Sequence, residues 1–180
     1  MENTITYRWM APEEIEQLRE IDRTEIIRTG YKYADGELQK IDVNWDAPNW
    51  DPNGDHEFSM TAQINFCRDH LEKGGKMYGA FDEKKLVGIG IITPNIQENV
   101  VQLAYLHMSK GYRRMGVGNR IFSTLVEKAK QLGGRQMYVT AVPSGSAVGF
   151  YLSKGFQPTD SPIPELFELE PDDIHMIKSL

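Results

Sequence analysis

Cysteine is almost missing from this chain. Cys67 is the single copy in 180 residues, so no intrachain disulfide can form and a reducing compartment is expected. No apolar run approaches the roughly 18 residues that a membrane-spanning helix needs. The opening "MENTITYRWM" has no basic stretch followed by an apolar one, so no secretory leader is expected. Positive charge is in deficit: 20 Lys and Arg stand against 26 Asp and Glu, for a net charge of −6. That balance argues against a general nucleic-acid binder. The expected location is the cytoplasm, with neither nucleic acid nor membrane as partner. An acidic protein can still attract a small cation. Repeats and low-complexity tracts are absent as well.

What is present reads as one ordinary globular domain over residues 1–180, long enough to bury a proper core. "ITYRWM" (5–10) reads as a strand. Pro12, Glu13 and Glu14 then suit a helix start. Residues 30–55 are rich in turn formers and aromatics with weak helical periodicity, which predicts a long loop with a short hairpin around Gly36. A helix is expected near 56–73, closed by Gly74 and Gly75. "KMYGAF" (76–81) and "LVGIGIIT" (86–93) form a hairpin stopped by Pro94. "NVVQLAYLHM" (99–108) reads as a buried strand, followed by a helix to about 132 and a strand at 135–142. That strand–helix–strand run implies a parallel pair with a right-handed crossover. A short helix (146–153) and a closing strand (173–180) complete an α/β, or α+β, domain with a mixed sheet.

The stretch "YRRMGVG" (112–118) sits between the buried strand and its helix. A glycine-rich turn opening a helix exposes successive backbone N–H groups at the positive end of the helix dipole, which is a place for phosphate. Gly116 and Gly118 allow close approach of a bulky anion, and Arg113 and Arg114 can add charge-assisted contacts. Neither a P-loop nor a dinucleotide fingerprint fits: no Gly-Lys-Ser/Thr follows, and position 121 is Ile.

With the next segment, the stretch resembles the GNAT N-acetyltransferases. The family's Gln/Arg-x-x-Gly-x-Gly/Ala loop is similar to Arg113-Arg114-Met115-Gly116-Val117-Gly118, and its Ala-x-x-x-Tyr-x-x-x-Gly-Phe helix to Ala147, Tyr151, Gly155 and Phe156. The resemblance is specific over about 76–158 and vague before it. It implies a mixed, mostly antiparallel twisted sheet flanked by helices, with a central parallel pair splayed to admit acetyl-CoA. The cofactor-binding core is then 99–158. Residues 113–118 hold the pyrophosphate, the strand at Leu106–Met108 parts from its neighbour near Val139–Ala141, and Tyr151 protonates the leaving thiolate. No metal is implied, and a homodimer is common in the family. The chain also departs from the pattern. Ser144, after Pro143, stands where many members carry a cofactor-contacting Asn. Gln102 stands where a glutamate base is common and cannot take a proton. The base is left as a water, a carboxylate from 42–57, or none if the amine arrives neutral. His107 and Cys67 read as packing residues.

The acceptor side in such proteins is built from the segment between the first helices and from the C-terminal strands. Here 30–55 is the acceptor-side loop, and "DVNWDAPNWDPNGDHE" (42–57) gathers Asp42, Asp46, Asp51, Asp55 and Glu57 around Trp45 and Trp50. Carboxylates beside indole faces suit a cation, so Trp45, Asp46, Trp50 and Asp51 are the candidate contacts to a small-molecule amine. "ELFELEPDDIH" near the C-terminus adds carboxylates. Two rival readings stay open: a protein lysine or N-terminal acetyltransferase, and an acyl-CoA-binding module without turnover.

Overall fold

Capping groups and left-handed turns set the element boundaries in this computed structural model, which describes residues 4–180. β1 (Thr6–Met10) leads into a 3-10 helix (Pro12–Glu20). β2 (Glu25–Ala34) and β3 (Glu37–Ala47) follow, turning at Asp35 and Gly36, both with positive φ. α1 (Met60–Glu72) starts at Ser59, whose side chain accepts the Ala62 N–H, and stops at Gly74 with φ +86°. β4 (Lys76–Asp82), β5 (Lys85–Gln97) and β6 (Val100–Met108) form a meander. α2 (Val117–Gln131), β7 (Gln136–Ala141) and α3 (Gly145–Ser153) come next. β8 (Gln157–Pro158), α4 (Pro164–Leu169) and β9 (Ile174–Ser179) close the chain.

Seven strands make one sheet in the order β1-β4-β5-β6-β7-β9-β8, antiparallel throughout except for β6 against β7. The β2–β3 hairpin forms a separate ribbon. Alternation along β5 assigns the two faces of the sheet. Gly88 and Gly90 face α2 so closely that a Cβ on Gly90 would lie 2.6 Å from Leu125 Cδ1. Ile89 and Ile91 point the other way, into the layer formed by Ile15, Leu18, Ile64 and Cys67. α2 and α3 bury Ile121, Leu125, Val148 and Tyr151 on the first face. Among the described residues no helix is long and apolar enough to cross a membrane.

Three expectations need correcting. Residues 30–55 are not mainly loop, because strands occupy them to Ala47. A two-stranded ribbon leaves most side chains exposed, so its apolar alternation is faint. Pro94 does not stop β5, which runs on to Gln97. The ladder breaks between Thr93 and Gln97, so the proline replaces no ladder hydrogen bond. The helix expected from 56 begins at Met60 and leaves Phe58 outside it, 60% exposed. α4 had no counterpart in the sequence reading.

Candidate active site

The parallel pair is short. Val100, Val101 and Gln102 pair with Gln136, Met137 and Tyr138, and there the ladder ends. β6 continues to Met108 on the arm of β5, and β7 continues to Ala141 on the arm of β9. The two strands therefore part from Leu103 and Val139 onward, leaving a strand edge on β6 beside a gap. Leu106 and Met108 turn toward the α2 and α3 layer, while Tyr105 turns toward the α1 layer. Gln102 is buried in the paired part.

At the wide end of the gap the chain makes the 113–118 turn. Arg114 has φ +61° and Gly116 φ +82°, and Gly116 is the N-cap of α2. Among the described residues, the backbone N–H groups of 114–118 find no acceptor in the chain. These are the orphan donors of a helix start, presented in a tight concave turn. A Cβ on Gly116 would meet nothing within 4 Å, so the approach is open. Arg114 and Met115 are exposed. Arg113 is engaged elsewhere. Its guanidinium donates to Thr24 O at 3.0 Å, Arg23 O at 2.8 Å and Met108 O at 3.3 Å, and lies 3.7 Å from Glu25. The arginine thus pins the turn to the root of the hairpin.

Seven residues along the chain from its N-cap Ser144, α3 carries Tyr151. The Ser144 hydroxyl accepts the Ala147 N–H at 3.2 Å and lies 3.1 Å from Ser146 Oγ, which donates to Glu25. The Tyr151 ring is packed edge-on against Phe150 and Phe156. Its hydroxyl has no hydrogen bond among the described residues, and burial pushes its pKa up, so the phenol stays protonated at neutral pH. Burial also pushes the Cys67 thiol up, which keeps it protonated in the core.

The four candidate acceptor contacts do not converge. Trp45 is 41% exposed on β3, with its ring over Gly30. Asp46 is the next residue and faces the opposite side of the ribbon. Trp50 is 3% exposed and packs among Tyr105, His107 and the Arg23 guanidinium. Asp51 is half-buried, and its carboxylate accepts the Asn53 N–H and contacts His56. Beside Trp50, His107 is pushed down to about 3, first by burial and then by the Arg23 and Arg113 cations, so its imidazole is neutral.

The ribbon also shapes a site the sequence reading did not assemble. β2 lies across the end of β7: Gly30 bridges Ser144, and the Tyr31 N–H donates to Pro143 O at 2.9 Å. Between the ribbon tip, Pro143 and the α4–β9 connection lies a cavity of about 480 Å³. Its wall includes Tyr31, Tyr33, Phe167, Asp160, Asp172 and Asp173. The Asp172–Asp173 pair was visible in the acidic C-terminal segment. Its meeting with Tyr31 and Tyr33 depends on a docking some 140 residues away in sequence, for which no local signal exists.

Comparison with known proteins bears on the family and the fold. The model of the acetyltransferase (GNAT) family matches residues 41–156. A comparison with curated protein sequences returns no match. Among solved structures, nourseothricin acetyltransferase superposes with a TM-score of 0.71 at 14% identity, over 97% of this chain and 98% of that one. A Bacillus anthracis protein provisionally named a streptothricin acetyltransferase, solved with acetyl coenzyme A, gives 0.69 at 17% identity, over 98% of each chain. PaiA N-acetyltransferase from Thermoplasma acidophilum, solved with coenzyme A, gives 0.63 at 16% identity, over 98% of this chain and 99% of that one. At these identities the likeness concerns the fold.

Proposed function

The chain belongs to the GNAT acetyltransferase family, and we propose that it moves an acetyl group from acetyl-CoA directly to a primary amine on a small cationic molecule. The observation that carries this reading is the parted β6–β7 pair, with the orphan N–H groups of 114–118 following β6 and the helix of Tyr151 following β7. The turn and the start of α2 suit the pyrophosphate. The free edge of β6 from Leu103 to Met108 suits the amides of pantetheine, laid along it like an added strand. Leu106 and Met108 then flank the cofactor, and Ser144 stands at the start of the helix that faces it. Arg113 serves by holding the turn rather than by reaching the phosphate, and Arg114 remains free to do so.

The amine nitrogen attacks the thioester carbonyl, the C–N bond forms, and the C–S bond breaks. The departing sulfur takes the Tyr151 proton, and the new ammonium loses one to water or to a nearby carboxylate. Gln102 cannot serve as base. A neutral His107 can accept a proton only weakly, given a pKa of about 3. The ribbon across the end of β7 narrows the acceptor side, which favours a small molecule over a folded protein. Trp45 on β3, with its ring over Gly30, stays a candidate contact at its mouth, while Asp46 faces the other side of the ribbon. Trp50 and Asp51 are assigned to support, since one is packed and the other ties its own turn.

A panel of primary amines with acetyl-CoA, read by thiol release, tests the proposal. Transfer should appear with cationic small molecules and be weaker with lysine peptides. Acetyl-CoA binding in calorimetry with no transfer to any amine would leave only a binding module.

A further inference from the structure

The cavity between the ribbon tip and the α4–β9 connection has a lining that the transfer chemistry leaves unused. Three carboxylates face it, from Asp160, Asp172 and Asp173, together with the rings of Tyr31, Tyr33 and Phe167. Among the described residues, Lys32 and His175 are the basic side chains in its wall. None of the three aspartates has an ion-pair partner among the described residues. Asp160 accepts the Tyr33 hydroxyl, which fixes the ribbon tip over the cavity. Asp173 is part-buried, and desolvation with the nearby Glu170 and Asp172 raises its carboxyl to about 7. A part-buried carboxylate without a counterion, beside two exposed ones, is an electrostatic demand that a bound cation meets. Aromatic faces add attraction for an ammonium group as it loses water.

The cavity has a defined relation to the transfer site. Pro143 lines it, and Ser144 next in the chain caps α3. From Ser144 to Tyr151 is seven residues of helix, or roughly 10 Å at the helical rise. A volume of about 480 Å³ lies within the usual range for small-molecule sites.

We infer that this cavity holds a second cationic group of the acceptor, so that the enzyme selects amines carrying another positive charge roughly 10 Å from the nitrogen that is acetylated. The inference rests on the acetyl-transfer reading above. It identifies the acceptor as an extended di- or polycation, and Asp172 and Asp173 as the residues that set this specificity.

A matched pair of probes isolates the second charge: 1,8-diaminooctane, and 8-aminooctan-1-ol, which keeps the length and polarity and loses one ammonium. Calorimetry with CoA-saturated protein should show the diamine binding at least tenfold tighter than the amino alcohol. Asp172→Asn with Asp173→Asn should erase that advantage without changing amino alcohol affinity. An Asp69→Asn control, exposed on α1 away from the cavity, should keep it. Equal affinity of the two probes for the wild-type protein, or an advantage that survives in the double variant, overturns the inference. Thiol release separates this from the transfer reading. Turnover of both probes with equal KM removes the cavity's role and keeps acetyl transfer. A charge-dependent binding difference without thiol release keeps the cation site and removes acetyl transfer.

Discussion

Deleting the Tyr151 hydroxyl leaves its ring between Phe150 and Phe156, so the packing of α3 is kept. The hydroxyl makes no hydrogen bond among the described residues, so its loss orphans no partner. Tyr151→Phe should therefore fold normally and bind acetyl-CoA as the wild type does. Acid assistance to a leaving group contributes roughly 100- to 10,000-fold. Steady-state rates with the best amine of the panel should show a kcat loss in that range, and an unchanged kcat removes Tyr151 from the chemistry. Arg113 carries the opposite lesson. Its charge and its place beside two glycines suggest a phosphate ligand, yet its donors are spent on the carbonyls of Arg23 and Thr24. Backbone acceptors carry no side-chain signature, so no pattern in the sequence could have paired residue 113 with residues 23 and 24.

Elements were legible where local chemistry specifies them. The turn into α2 was readable because Gly116 needs φ +82° and because the apolar spacing of Ile121, Phe122 and Leu125 declares the helix. The parallel crossover followed from strand order alone. The ribbon was not legible: β2 and β3 bury little, so Tyr31 and Tyr33 looked like loop aromatics. Trp50 misled because an indole among acids reads as a cation site, whereas Tyr105 and His107 cover it from a strand more than 50 residues away. The well-read element supports a prediction. Gly116→Val forces a branched side chain into the left-handed region, at a cost of roughly 1–2 kcal/mol. That is tolerable for a domain of this size, but the new side chain stands beside the N–H groups of 114–118. Acetyl-CoA affinity in calorimetry should fall by more than tenfold while the melting temperature moves only a few degrees. A variant that keeps wild-type affinity would show that the pyrophosphate lies elsewhere.

At the scale of the whole molecule, charge links folding to the acceptor. The chain carries −6, and part of that charge is gathered at Asp160, Asp172 and Asp173 around one cavity. The Asp173 carboxyl sits at about 7 in the folded protein, against an ordinary value of 3.8, because it is buried and lies near Glu170 and Asp172. Between those two values the folded chain holds a proton that the unfolded chain has released. Stability must therefore fall as pH rises from about 4 to about 7, and the penalty is complete above that. A full shift of this size would be worth about 4 kcal/mol, which partial exposure and solvent screening reduce to about 1–2 kcal/mol. Asp173→Asn keeps the shape of the protonated acid and cannot ionise. Its melting temperature should match the wild type near pH 4, then exceed it increasingly toward pH 8, by roughly 2–4 °C per kcal/mol in a chain of this length. Near pH 8, 1,8-diaminooctane should raise the wild-type melting temperature by neutralising the carboxylates, and should do so much less in the variant. Melting curves that stay parallel from pH 4 to pH 8 would mean that Asp173 ionises as freely as a surface aspartate and contributes no charge demand to the cavity.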